Sequence, residues 1–179
     1  MGAIILLCAG AIFGVFLNYR HFSGSHNVLN VSIPGKADIR ISQLKHEAIR
    51  EGIKDWRLEA RTADVINSKK QAVLTDLTVV FFLKNSQEVH LTAKQGVLDY
   101  QSNNIEVTGN VIVQRGPYRL KTEQLHYDHG TRIMSSRVPV QIHGESVFLA
   151  ADAMFFDLNT NKTILKGNVD GTFGKLLLL

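Results

Sequence analysis

His126 and His129 flank Asp128, and two imidazoles beside a carboxylate invite a metal-binding reading. In an extended strand His126 and Asp128 point the same way, whereas His129 falls in an expected turn and points elsewhere. No third ligand is spaced to complete a site, so these histidines are expected to face solvent. A second candidate is the trio Asp99, Asp128 and Asp157, which recur at equivalent turn positions and would suggest calcium. One carboxylate per turn is too few for a calcium cage, and Asp at such a position caps its own backbone through an Asx-turn. Cys8 is the only cysteine and lies in an uncharged stretch, which removes disulfides, cysteine zinc sites and Cys–His nucleophiles from the charged part of the chain. The sequence holds no G-x-S-x-G elbow, P-loop, G-x-G-x-x-G or H-E-x-x-H, and no two carboxylates pair on an apolar face for acid–base work. Neither an enzyme nor a cofactor is expected. The net charge of +4 comes from dispersed Lys and Arg, not from a patch interleaved with aromatics, so nucleic acid is not the expected ligand. A mild excess of cations suits anionic lipid head groups, and ordinary solubility explains it equally well.

With catalysis set aside, the elements carry the argument. Four segments begin alike: Trp56-Arg-Leu58-Glu-Ala60, Val89-His-Leu91-Thr-Ala93, Tyr118-Arg-Leu120-Lys-Thr122 and Val147-Phe-Leu149-Ala-Ala151. Their leucines are 33, 29 and 29 residues apart, which is an internal repeat. Each opening alternates apolar with other residues, the period-2 mark of a half-buried strand. Five residues after the Ala or Thr comes a second apolar position, Val65, Leu98, Tyr127 and Phe156, followed in the last three copies by the recurring Asp. Polar turn residues and a returning strand complete each unit, the returns being 105–113, 133–142 and 164–169. Two returns share a Gly-Asn-Val corner, at Gly109-Asn110-Val111 and Gly167-Asn168-Val169. Each unit therefore holds two short strands in about 29 residues, a spacing that gives an all-β sandwich or roll. A lone hairpin is marginal in water, so the units must stack around a shared core. The one stretch with strong helical propensity, 44–51 (LKHEAIRE), ends at Gly52 as either a helix end or a hairpin turn, and the hairpin is preferred.

Trp56, Leu58, Leu91, Tyr118, Leu120, Val147, Leu149 and Phe156 should share one face with Val79, Phe81, Val111, Val140 and Val169. Arg57, Glu59, His90, Thr92, Arg119 and Lys121 should occupy the other. A roll with one dry face can close over its own side chains or gape to accept a ligand, and the sequence leaves both open.

The chain of 179 residues allows one such domain plus short appendages. Residues 1–19 carry no charge, and 2–17 (GAIILLCAGAIFGVFL) no polar side chain. As a helix with its flanks this run spans roughly 26 Å, close to the hydrocarbon thickness of a bilayer. No Lys or Arg precedes it, as a cleaved signal would need, and Leu7 before Cys8 does not suit a lipoprotein signal. An uncleaved single transmembrane helix over 1–19 fits best. Arg20 just after it would be drawn to the cytoplasm, so charge alone does not favour export of the rest of the chain, and a missing upstream stretch would explain this. Residues 20–36, rich in Ser, Asn and Gly and ending near Pro34-Gly35, form the expected tether, with the folded domain over 37–179.

Anchor, tether and repeat together resemble the LptC family of the lipopolysaccharide export machinery of Gram-negative bacteria. The match is carried by Trp56-Arg-Leu-Glu-Ala60 after a hairpin at Glu51-Gly52, by Ala72-Val73-Leu74-Thr75-Asp76-Leu77, and by Leu91-Thr-Ala93. Gly109-Asn-Val111, Leu120-Lys-Thr122 and 135–140 continue it in the same order. The resemblance implies a twisted β-jellyroll, open along one seam, anchored in the inner membrane with its domain in the periplasm. It also implies the partners: lipopolysaccharide received from the LptB–LptF–LptG transporter and passed to LptA. Lipid would run along an interior lined by Leu74, Val79, Phe81, Leu91, Tyr118, Leu120, Val140, Leu149 and Phe156. The N-terminal edge, with Ile39, Ile41 and Leu44, would meet the transporter, and the C-terminal edge, with Ile164, Leu165 and Val169, would meet LptA. The rival expectation is a membrane-anchored adaptor whose closed roll binds proteins through its edges and carries no lipid.

Overall fold

A strand whose apolar residues alternate strictly can serve only one buried face. In the protein, a computed structural model describing residues 37–83 and 86–174, six long strands serve two. They are β1 (Ile39–Arg50), β2 (Ile53–Ile66), β3 (Gln71–Phe82), β4 (Glu88–Asp99), β5 (Asn104–Arg115) and β6 (Tyr118–Asp128). Each pairs antiparallel with the next. The expected transmembrane helix and tether lie outside the described residues.

Inward-facing positions change parity partway along five of these strands. In β2 the inward set passes from Trp56, Leu58 and Ala60 to Ala63 and Val65; in β3 from Ala72 and Leu74 to Leu77, Val79 and Phe81. In β6 it passes from Leu120 and Thr122 to Leu125 and Tyr127. The slip falls at one row of residues crossing the sheet: Gln43, Arg61, Asp76, Lys94, Asn110 and Glu123, all exposed. Gln43, Asp76 and Asn110, in β1, β3 and β5, hold left-handed backbone at φ 57°, 46° and 49°, as does Gly109 at 80°. On β5, Gly109 and Asn110 together oppose Glu123 alone, a bulge that keeps parity there while bending the strand. The row is thus a spine along which every strand turns a corner and both halves keep their apolar side chains inward. Arg61 Nε donates to Asp76 Oδ2 across it at 2.7 Å.

Beyond β6 the corner becomes a break. The expected return over 133–142 is two strands, β7 (Ile133–Ser136) and β8 (Val140–His143), separated by a segment ending in Pro139, which has no N–H for a ladder. Thr122 Oγ1 lies 3.1 Å from Ser136 Oγ and donates to the Pro139 carbonyl at 3.0 Å, so a buried hydroxyl pair holds the break to β6. β9 (Val147–Ala151) and β10 (Ala153–Asp157) part at Asp152, and β11 (Lys162–Lys166) and β12 (Asp170–Phe173) at Gly167–Val169. The sheet therefore forks: β6 pairs with β7, β10 and β11 follow in the second layer, and β8, β9 and β12 continue the first.

The all-β, repeated-hairpin architecture is as expected, including the hairpin at Glu51-Gly52, with left-handed backbone at both residues. The strands differ from expectation in length, since β1 to β6 run through both layers where short strands were expected. The return over 164–169 also differs. It stops at Lys166 because Gly167, at φ 87°, turns the chain onto Asp152, whose Oδ2 accepts from Asn168 N at 2.9 Å. Val169 is consequently exposed between strands, not part of the apolar face.

The recurring aspartates are turn-makers. Asp99 Oδ1 accepts from Gln101 N and Ser102 N at 3.0 and 2.9 Å, Asp128 Oδ1 from Thr131 N at 2.7 Å, and Asp157 Oδ1 from Asn159 N at 2.8 Å. Hydrogen bonds from Ser102 hold the Asp99 carboxyl below its ordinary range. Burial pushes Asp128 and Asp157 upward, but bonds from Thr131, and from Thr160 and Asn159, outweigh it and leave both lowered.

Because the spine requires left-handed backbone, Gly109→Val should lower stability by roughly 1–3 kcal/mol, a β-branched residue being strained at that φ. A shift of the urea midpoint without a change in slope would register it.

Candidate functional site

The two layers meet face to face, and their inner side chains fill the space between them. Leu74, Val79, Phe81, Leu91 and Val140, five of the nine residues expected to line an interior, are fully buried; Leu120 and Phe156 are buried, and Leu149 is half-buried. Trp56, Leu58, Ile105, Leu125, Tyr127, Met134 and Leu158 join them. Phe81 from the first layer meets Tyr127 from the second edge to face, with ring centroids 4.6 Å apart. Tyr118 departs from expectation. It shares strand parity with Leu120 but sits at the first position of β6, beyond the end of the core, and is 52% exposed with its ring beside Gly144. Of the edge residues, Ile39, Ile41 and Leu44 lie on β1, which among the described residues pairs only with β2, and Ile164 and Leu165 on β11, which pairs among them only with β10. Ile41, Leu44 and Leu165 pack partly against the core, while Ile39 and Ile164 are exposed.

A buried polar cluster lies on the side opposite the spine, where the turns of one layer face those of the other. Its centre is Asp55, only 2% exposed. Ala48 pairs with Trp56 and Ile49 with Lys54, so Asp55 is the extra residue of a bulge and its side chain is re-aimed out of the strand's alternation. Tyr127 Oη donates to Asp55 Oδ2 at 3.0 Å, His129 Nδ1 lies 2.8 Å from the same oxygen, and Arg132 Nη2 lies 3.1 Å from Oδ1. Arg132 Nη2 also donates to the Phe82 carbonyl at 2.8 Å. Arg50 reaches across from β1 and donates to the carbonyls of His129 and Gly130 at 2.7 and 2.8 Å. Burial, then the neighbouring Asp55 charge, pushes the Tyr127 phenol far above its usual range, so it remains a neutral donor.

His129 thus corrects the expectation that the histidines face solvent: the Asx-turn at Asp128 carries it off the strand line and into the cluster, beside Tyr127. Among the described residues no three His, Cys, Asp or Glu side chains converge on a metal position. Asp55, Arg50 and Arg132 carry no sequence signal, because a bulge that inverts one residue's facing leaves no periodic trace.

Removing Asp55 would strand Arg132 and Tyr127 without their partner. Asp55→Ala should therefore cost roughly 3–5 kcal/mol, whereas Asp55→Leu combined with Arg132→Met should recover most of it. Urea unfolding of the two variants beside the unaltered protein checks this.

Residues 3–174 match the family described as lipopolysaccharide-assembly, LptC-related. No curated protein matches the chain. Among solved structures it is similar to the crystal structure of LptH, the LptA-homologous periplasmic component of the lipopolysaccharide transport device of Pseudomonas aeruginosa. That likeness has a TM-score of 0.55 at 12% identity and covers 67% of this chain and 95% of the other, so it is a likeness of fold. The family match spans nearly the whole sequence and agrees with the two-layered, open-edged sheet. The chain belongs to the LptC-related lipopolysaccharide-assembly family, whose members are non-enzymatic components of lipopolysaccharide transport.

Proposed function

We propose that the protein is a bridge for lipopolysaccharide, anchored in the inner membrane by residues 1–19. Its domain over 37–179 takes lipid in the periplasm from an LptB–LptF–LptG transporter and hands it to LptA. The observation that carries this reading is a single apolar interior, continuous from β1 to β11, with both of these strands unpaired on their outer side among the described residues. Acyl chains crossing water need such a lining, since each CH₂ withdrawn from water is worth about 0.8 kcal/mol. Unpaired edges extend by strand addition, so jellyrolls can join end to end into one continuous path. β1 is the edge for the transporter and β11 the edge for LptA. Lipid would contact Leu74, Val79, Phe81, Leu91, Leu120, Val140, Leu149 and Phe156 once the layers part, with Tyr118 at the mouth.

The filled interior favours a second reading, an anchored adaptor that binds proteins at its edges and carries no lipid. A photo-crosslinking residue at Phe81 or Leu120 should capture lipopolysaccharide in cells. Capture only at outward sites such as Arg119 would favour the adaptor. Leu165→Pro removes one backbone donor from β11 and should weaken co-purification with LptA, whereas unchanged recovery would move the docking edge elsewhere.

A further inference from the structure

The interior is filled and β1 to β6 cross the spine unbroken, so along these strands the layers can part only on the opposite side, where they meet without a shared backbone. That is the side on which Asp55 lies. We propose that the Asp55–Tyr127–His129–Arg132 cluster, with Arg50, is a clasp that holds the two layers shut, and that its release is the step that admits an acyl chain. The gating role rests on the lipid reading above; the mechanical role does not.

Position is the first argument. Asp55 and Arg50 stand by the β1–β2 turn of the first layer, while Tyr127, His129 and Arg132 stand by the β6–β7 turn of the second. In the flat order of the sheet these are remote corners, yet they touch. Arg132 bonding to Phe82 O and Arg115 lying 5.9 Å from the Phe156 ring join the layers on the same side.

Chemistry is the second argument. In a buried seam, well-packed apolar residues hold two layers at least as firmly as an ion pair, whose desolvation offsets its attraction. The cluster is also incompletely satisfied. Asp55 Oδ1 has the Arg132 ion pair as its contact, and Arg132 Nε and the indole N–H of the neighbouring Trp56 are buried without a hydrogen bond. A half-satisfied polar network makes a poor permanent closure. It makes a good reversible one: on parting, water solvates Asp55, His129 and Arg132 and offsets the broken ion pairs, whereas parting an apolar seam has no such return.

The test uses the full chain with Cys8→Ser and a spin-label pair across the seam, at Glu51→Cys and Gly130→Cys. A second preparation carries a benzoylphenylalanine at Phe81 and receives micelles of radiolabelled rough lipopolysaccharide. Asp55→Asn should broaden the cross-seam distance distribution and raise the initial rate of capture at Phe81 several-fold. Arg132→Lys, which keeps the charge and loses the planar fork, should do both to a smaller degree. Asp76→Asn, which breaks an ion pair on the spine, should do neither. If Asp55→Asn does not fold, judged by its thermal melt, Arg132→Lys and His129→Gln carry the same comparison. Unchanged distances and equal capture rates in folded variants would overturn the clasp while leaving the lipid reading standing. A broadened seam with no capture at Phe81 in any protein would overturn the lipid reading, and the gating role with it.

Discussion

The fold depends on one geometric constraint: a strand that runs through two layers must keep its apolar side chains inward on both sides of the corner. One residue that interrupts the alternation does this in β1 to β4 and in β6, with left-handed backbone at Gln43 and Asp76, and the Gly109–Asn110 bulge does it in β5. Without the slip, half of each of the five slipping strands would turn its apolar side chains to water and its polar ones to the core. The exposed, charged character of the row is a direct result, since these side chains point away from both layers at once. The spine is therefore a consequence of solvation as much as of backbone strain.

Much of this was written in the sequence. The period-2 openings identify the strands, and the turn aspartates identify where they end. The five-residue step from Ala60 to Val65, and from Ala93 to Leu98, is odd where unbroken alternation demands an even number, so the slip itself is present in the spacing. What escapes is whatever depends on a single residue's exception. Asp55 is inverted by a bulge, His129 is carried inward by a turn, and Tyr118 keeps the parity of the core but lies past its end. Val169 is lost from the apolar face because Gly167 turns against Asp152, a contact between residues of different hairpins that no local pattern encodes.

The two long sides of the domain are held by different forces. On the spine the backbone of β1 to β6 is continuous, and their ladders resume on either side of the corner. On the opposite side, Arg50, Asp55 and Arg132 bridge separate turns with a few charged contacts, over a core that is otherwise dispersion and hydrophobic burial. The proposed lipid bridge would use that asymmetry: one margin that keeps the register of the sheet and one that yields. Edge strands at both ends leave the long axis free for neighbours, so the opening between layers and the contacts with partners use different surfaces.

The fork after β6 has a mechanical corollary. Through β1 to β6 the angle between the layers is set by peptide geometry repeated strand after strand; from β7 onward the layers are joined by short linkers at 137–139, 152 and 167–169, by the Thr122–Ser136 hydroxyls and by packing in the shared core. Bending stiffness must then decline along the molecule from its first hairpin to its last. On the bridge proposal, a hydrocarbon guest entering at the rigid end would meet less elastic resistance at the compliant one, a gradient that would bias its drift toward the last hairpin.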